Sequence, residues 1–264
     1  MPRPRSRALK QSATGLLVPA LLCASIRTAG AQTSGYEFTS TSGTYVEISG
    51  GTVLGTSSND DEVFSDDTAG DFPPGTGDGF PIGFDFTLGA TTYDRFAVSS
   101  NGWIVLGAGS VQIGEASANN FTPLSTPGAG FQTAVAAVGA DLSGREDSEL
   151  SYLTSGEAGS RVLTVQWKNY RKYGTAGDSY SFQIRLLEMG NKIEIVYGTM
   201  TSDLDPRNVQ VGFRDGTSDC LTNRTTEADW SASTVGSDNT ASMTLSDTVF
   251  PASGLTFSWQ ASAP

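Results

Sequence analysis

The chain of 264 residues contains no histidine, and this absence removes several kinds of site at once. A Ser-His-Asp triad, a Cys-His pair and a histidine-ligated zinc site all need an imidazole. Cysteine is nearly absent as well, with Cys23 and Cys220 alone. Because Cys23 falls in a segment that we expect to be removed, Cys220 has no partner for an intrachain disulfide. With no histidine to activate it, we expect Cys220 to be a buried, inert thiol.

Basic residues are scarce: Lys and Arg number 16, against 28 Asp and Glu. Five of the basic residues and none of the acidic ones lie in residues 1–31, so the rest of the chain carries a net charge of −17. A charge of this sign repels nucleic acid and anionic membranes and favours a solvated surface or cation binding. We therefore expect no nucleic-acid partner.

Long apolar runs are also missing. Residues 14–24 (TGLLVPALLCA) form a short apolar run, about half the length that spans a bilayer. The run follows four basic residues among the first ten and precedes Ala29-Gly30-Ala31, the small-x-small pattern that a signal peptidase cuts. The sequence predicts a signal peptide over residues 1–31, a mature chain from Gln32, no membrane span, and a secreted location, either extracellular or periplasmic.

Sustained helical periodicity is lacking, and short runs of alternating apolar and polar residues recur between clusters of Gly, Asn, Asp and Pro. This pattern is typical of an antiparallel sandwich. We expect residues 32–264 to form a single all-β domain, an antiparallel β-sandwich of the jelly-roll or lectin-like kind. The predicted strands are 36–40, 44–48, 80–88, 92–99, 103–106, 134–142, 150–154, 161–170, 179–188, 192–197, 209–214 and 255–260.

Two hairpins are the clearest local features. Asn101-Gly102 lies between two strand patterns, and both residue types tolerate the positive φ that a tight turn needs. Met189-Gly190-Asn191 connects two alternating runs in the same way. Trp103, Trp167 and Trp259 fall within strand patterns, so we expect them in the core.

Five segments resemble a β-sandwich module found at the N-terminal side of large secreted and surface proteins of bacteria, especially Bacteroidetes. They are residues 48–55 (ISGGTVLG), 82–86 (IGFDF), 98–103 (VSSNGW), 165–168 (VQWK) and 182–198. Proteins with this module often continue into fibronectin type III repeats and a C-terminal sorting domain. The resemblance implies a lectin-like sandwich with a binding or adhesive role and no catalytic residues. Because this sequence ends at Pro264 without those repeats, we expect a free module.

An acidic stretch at residues 57–78 is the candidate metal site. Asp60, Asp61, Glu62, Asp66 and Asp67 supply five carboxylates within eight residues. Calcium takes six to eight oxygen ligands, and carboxylates are its usual protein ligands. The spacing differs from the recognised calcium loops. The stretch therefore predicts either a calcium site or a solvated acidic loop.

Aromatic residues near polar turns are the candidate ligand-binding residues. Tyr170 and Tyr173 flank a basic turn, and Trp230 lies in the polar stretch 215–240. Exposed aromatic rings stack on sugars and supply a large contact area at a low entropy cost. In the competing interpretation, Tyr170 and Tyr180 close the ends of two core strands.

We expect a secreted, non-catalytic binding or adhesion module for carbohydrate or a surface protein, with calcium as the only cofactor considered. One alternative is a glycoside hydrolase that works with carboxylates alone. Its candidate residues are Glu146, Asp147, Glu149, Glu188 and Glu194. The other alternative is a structural protein of an envelope or matrix.

Overall fold

A computed structural model describes residue 1 and residues 35–55, 60–65, 78–111, 119–126, 133–202, 206–216 and 222–262. The expected signal peptide, Cys220, Asp66 and Asp67 lie outside these ranges. The described residues form seventeen β-strands and no helix, so they offer no helical segment able to cross a membrane. The strands are β1 (Tyr36–Ser42), β2 (Thr52–Gly55), β3 (Val63–Phe64), β4 (Phe80–Leu88), β5 (Thr91–Ser99), β6 (Trp103–Gly107), β7 (Thr133–Gly139), β8 (Leu142–Ser143), β9 (Glu149–Ser155), β10 (Val162–Lys172), β11 (Ser179–Leu187), β12 (Lys192–Thr201), β13 (Arg207–Asp215), β14 (Arg224–Thr225), β15 (Thr234–Val235), β16 (Met243–Leu245) and β17 (Leu255–Ala261).

The strands make two large antiparallel sheets. The eight-stranded sheet has the order β1-β17-β12-β11-β10-β9-β2, with β8 paired to β10. The seven-stranded sheet has the order β16-β13-β7-β6-β5-β3, with β4 paired to β5. Strands β14 and β15 form a separate two-stranded sheet. Neither large sheet closes into a barrel, and the all-β sandwich expected from the sequence is confirmed.

The core lies between the two sheets because the strands alternate as their sequences indicate. In β10, Leu163, Val165 and Trp167 are fully buried, whereas Thr164 points to the opposite face. Trp167 stacks on Phe182 of β11 and donates its indole N–H across the core to the Ser99 carbonyl oxygen over 3.1 Å. Full burial of one such apolar side chain contributes about 1.5–3 kcal/mol to stability.

A second apolar cluster covers the other side of the seven-stranded sheet. Trp103, Val105 and Ala136 lie there beneath Leu124. The Trp103 indole N–H donates to the Asn120 carbonyl oxygen over 2.9 Å, which fixes the segment 119–126 over the sheet. Strands β6 and β7 are therefore buried on both faces, as the apolar run around residues 134–140 predicts.

Two predicted strands differ from the structure. Residues 44–48 form no strand, because their backbone groups bond to side chains of the eight-stranded sheet instead of to a neighbouring strand. The predicted strand 134–142 ends at Gly139 and resumes as β8 at Leu142. The interruption frees Asp141 from a ladder and places it at the end of the sandwich, where it meets other acidic residues.

Candidate functional site

The outer face of the eight-stranded sheet carries rows of polar side chains that run across the strands. In one row, Gln166 of β10 lies opposite Ser151 of β9 and Gln183 of β11. In the next row, Thr164 lies opposite Leu153 and Arg185. Both rows exist because side chains alternate between the core and the outer face of the sheet, and the outer positions in these rows are polar except for Leu153.

Residues 44–49 run over the first of these rows as a strap. The side-chain oxygen of Gln166 accepts hydrogen bonds from the Ile48 backbone N–H over 2.9 Å and from the Tyr45 hydroxyl over 3.2 Å. The Gln183 amide donates to the Val46 carbonyl oxygen over 2.7 Å. Burial of Tyr45 against the sheet, with the nearby Glu47 carboxylate second, raises the pKa of this tyrosine. Two buried glutamines therefore hold a stretch of chain that has no strand partner.

A groove of about 230 Å³ opens beside the strap. Its apolar lining is made by Val46 and Ile48 of the strap and by Leu153 of β9. The polar lining includes the Thr164 hydroxyl and the Arg185 side chain. The Arg185 guanidinium lies 3.4 Å from Glu194, which also pairs with Lys192 at 2.6 Å. The lining also includes Glu47, which pairs with Lys168 at 2.6 Å. The groove therefore combines apolar side chains, a hydroxyl, a cation and a carboxylate.

A second candidate site is an acidic cluster at one end of the sandwich. Carboxylate oxygens of Asp60, Asp61 and Asp141 all lie within 4.8 Å of one another. Asp60 and Asp61 precede β3, whereas Asp141 lies between β7 and β8, so the fold joins two stretches about eighty residues apart. All three side chains are partly buried.

The protonation of this cluster reflects burial first and mutual repulsion second. Burial, followed by repulsion from the carboxylates of Asp61, Asp141 and Glu62, raises the pKa of Asp60 to about 6. Burial also raises the pKa of Asp141, where repulsion from Asp61 adds to it and Lys172 and Arg207 oppose it.

The Asn101-Gly102 turn holds the acidic cluster in place. The Asn101 amide nitrogen donates to an Asp61 oxygen over 3.0 Å, and its amide oxygen accepts from the Leu142 backbone N–H over 2.7 Å. One buried asparagine thus contacts both stretches that carry the carboxylates. The predicted turn is confirmed between β5 and β6, and it also positions this site.

The structure brings together two of the five acidic residues predicted for a metal site. Asp60 and Asp61 meet, and the cluster adds Asp141, which the sequence analysis missed. Glu62 follows them, and its backbone pairs with Ser100 instead. Asp66 and Asp67 lie outside the described residues. No local spacing could indicate Asp141, because only the fold brings it to Asp60.

The predicted aromatic residues separate into buried and exposed ones. Tyr170 is fully buried and Trp230 is 2% exposed, so neither ring has a free face for a sugar. Trp230 packs edge-on against Tyr197 and donates its indole N–H to the Thr244 carbonyl oxygen over 2.8 Å. This burial corrects the expectation for both residues and agrees with the competing interpretation of Tyr170 as a core residue. Tyr173 is 55% exposed, so it alone of the three candidates is accessible to a ligand.

Three of the carboxylates considered for hydrolysis are paired with basic side chains. Glu188 accepts hydrogen bonds from the Arg161 guanidinium, which lowers the pKa of Glu188 to about 2. Asp147 pairs with Arg145 at 2.9 Å, and Glu194 pairs with two cations as described above. A carboxyl group with such a low pKa is a poor general acid at neutral pH.

Comparison with the curated proteins and with the solved structures gives no significant match. The resemblance to a secreted β-sandwich module is supported as far as its architecture, whereas the bacterial surface-protein context stays a prediction. A family model described as NIDO related matches residues 35–261, which span both sheets, both candidate sites and the whole strand order. The chain therefore belongs to the NIDO-related family.

Proposed function

We propose that this protein is a secreted, non-catalytic binding module that takes a neutral carbohydrate in the groove beside the strap. Membership of the NIDO-related family suggests a binding module of the extracellular type. The observation that carries the proposal is the groove itself, with its apolar wall and its lining of Thr164 and Arg185.

The chemistry of the groove suits a sugar. A sugar ring presents C–H groups on its faces and hydroxyls at its edge, so it needs an apolar wall beside hydrogen-bonding side chains. Val46 and Ile48 supply the wall, while Thr164 and Arg185 supply the polar groups. The volume of about 230 Å³ is below the roughly 300–1,000 Å³ of pockets that enclose drug-sized ligands. It therefore suits one sugar residue of a longer chain.

The charge of the protein selects against acidic ligands. The whole chain carries a net charge of −12, which disfavours long anionic polymers through repulsion at low ionic strength. At the groove itself, Arg185 shares Glu194 with Lys192, and the lining also includes the Glu47 carboxylate. A neutral polysaccharide avoids the long-range repulsion.

The test is retention of the purified protein on arrays of neutral and anionic polysaccharides. We expect selective retention on a neutral glycan and a loss of roughly 10–100-fold in affinity for Arg185→Ala, the range of one charge-assisted hydrogen bond of about 1.5–3 kcal/mol. Because Glu194 keeps Lys192 as a partner, this variant leaves no unpaired carboxylate.

Tyr173→Ala is the matched comparison, because Tyr173 is the exposed aromatic of the alternative site. Loss of retention in Tyr173→Ala with full retention in Arg185→Ala would move the ligand to the turn after β10. An absence of retention on every glycan would contradict the carbohydrate proposal and favour a protein partner or a structural role.

A further inference from the structure

The acidic cluster at the end of the sandwich contains a neutral oxygen as well as its three carboxylates. Ser143 is 6% exposed, and its hydroxyl has no hydrogen-bond partner among the described residues. Ser143 lies directly opposite Asp60 in an antiparallel bridge, so their side chains leave the backbone on the same side. It also follows Asp141 by two residues, the spacing that places both side chains on one face of an extended chain.

Two buried oxygens of the cluster lack hydrogen-bond partners among the described residues. A serine hydroxyl beside carboxylates ordinarily donates to one of them, yet the Ser143 hydroxyl makes no such bond. The Asp60 Oδ1 atom is also buried without a partner. Buried polar atoms in folded proteins are nearly always satisfied, and a pair of unsatisfied oxygens at one place points to a group that both can bind. A cation binds oxygens of both kinds.

The surrounding charges do not replace such a cation. Lys172 and Arg207 are near enough to Asp141 to lower its pKa. However, among the ion pairs of the described residues, none includes Asp60, Asp61 or Asp141. The Asn101 side chain nevertheless ties the Asp61 carboxylate to the backbone of Leu142, the residue after Asp141. Unit charges about 4 Å apart repel by roughly 1–4 kcal/mol near a protein surface, and a bound cation removes this cost.

We propose that Asp60, Asp61, Asp141 and Ser143 form a binding site for one divalent cation of the calcium class. The donors are all oxygens and come from two stretches of the chain about eighty residues apart. Calcium accepts six to eight such ligands in a flexible geometry, whereas magnesium demands a regular octahedron. Zinc favours nitrogen and sulfur ligands.

A cation at this position ties the two sheets together at one end. Asp60 precedes β3 of the seven-stranded sheet, while Ser143 belongs to β8, which pairs with β10 of the eight-stranded sheet. Ser143 lies opposite Arg171, seven residues along β10 from Thr164 of the groove, or roughly 23 Å at the usual rise per residue. The cation site is thus separate from the groove. A negative result for one proposal therefore does not contradict the other.

The experiment is calorimetric titration of the chelator-treated protein with calcium chloride and with magnesium chloride, alongside thermal unfolding. We expect one calcium ion per chain, with Kd in the range of about 10⁻⁴–10⁻³ M found for extracellular modules. The melting temperature should rise with calcium, and above Kd it should keep rising with the logarithm of the calcium concentration. An absence of saturable calcium binding would overturn the proposal, and equal affinity for magnesium would overturn the choice of ion.

Three variants locate the site. Asp141→Asn should weaken calcium binding at least tenfold, whereas Asp85→Asn, the same change on the exposed side of β4, should bind like the parent protein. Ser143→Ala changes no charge and should weaken binding several-fold, so it decides the question if Asp141→Asn does not fold. Parent-like binding by both Asp141→Asn and Ser143→Ala would overturn the assignment of these ligands.

Discussion

At the scale of single residues, the turn at Asn101 and Gly102 has the most exacting geometry. Gly102 has a φ of +83°, in the left-handed region that side chains other than glycine adopt at a cost. A Cβ atom at this position would lie 2.2 Å from the Val138 carbonyl oxygen. The close approach exists because the Gly102 carbonyl oxygen accepts hydrogen bonds from the backbone N–H groups of Ala137 and Val138. Backbone strain and a backbone clash therefore coincide here.

We expect Gly102→Ala to lower the free energy of unfolding by more than the roughly 1–2 kcal/mol that the left-handed conformation costs by itself. Gly109→Ala is the matched control, because Gly109 has a φ of +74° with open space around it. Urea unfolding of both variants measures the difference. Equal losses would show that the clash with Val138 relaxes freely, contrary to this expectation.

At the scale of elements, the strap is the part of the chain whose position depends most on side chains. Its backbone bonds to two glutamines of the sheet instead of to a strand ladder. Gln166 is the centre of this arrangement, because its side-chain oxygen also accepts from the Gln183 amide over 2.9 Å. Removal of one glutamine should therefore release the strap while the sheet beneath it stays intact.

Gln166→Ala should speed hydrogen exchange at the Ile48 amide by roughly tenfold, since a hydrogen bond of about 1–1.5 kcal/mol that restrained local opening is lost. Mass-spectrometric exchange over residues 43–51 measures this directly. The control is Gln260→Ala, an exposed glutamine on β17 of the same sheet. Unchanged exchange at Ile48 would mean that contacts other than Gln166 hold the strap.

Most of the long strands could be predicted from the sequence, because alternating apolar and polar residues indicate which side chains face the core and which face outward. The strand predicted at residues 44–48 was wrong. This segment shows the same alternation, but its backbone bonds to side chains of the sheet, and no local sequence pattern indicates such bonding. It also missed short β2, β3, β8 and β16, whose pairing depends on longer neighbours. Of the acidic cluster, Asp60 and Asp61 were predictable from local charge, while Asp141 and Ser143 depend on tertiary structure. The groove depends on strand register, so it too could not be predicted.

At the scale of the whole molecule, the two sheets are joined by aromatic side chains that also make polar contacts. Trp167 bonds to Ser99 across the core, and the Tyr197 hydroxyl donates to the Ala137 carbonyl oxygen over 3.0 Å. Aromatic pairs such as Tyr36–Phe213 and Phe80–Tyr152 also cross between the sheets. Burial raises the pKa of Tyr197 well above its ordinary value, so this hydroxyl stays protonated and able to donate. Relative placement of the sheets therefore rests on directional bonds as well as on apolar area.

Two buried tyrosines allow the directional contribution to be measured. Tyr197→Phe removes a satisfied hydroxyl and leaves the Ala137 carbonyl without this donor, so it should lower the free energy of unfolding by about 1–2 kcal/mol. Tyr170→Phe removes a hydroxyl that is buried and has no partner among the described residues. Since such a group already bears a desolvation cost, its removal should leave stability unchanged or raise it. Urea unfolding of the two variants, each differing from the parent by one oxygen atom, gives the comparison.

A loss of stability for Tyr170→Phe as large as that for Tyr197→Phe would show that the Tyr170 hydroxyl has a partner in solution. Hydrogen bonding would then not distinguish the two core tyrosines.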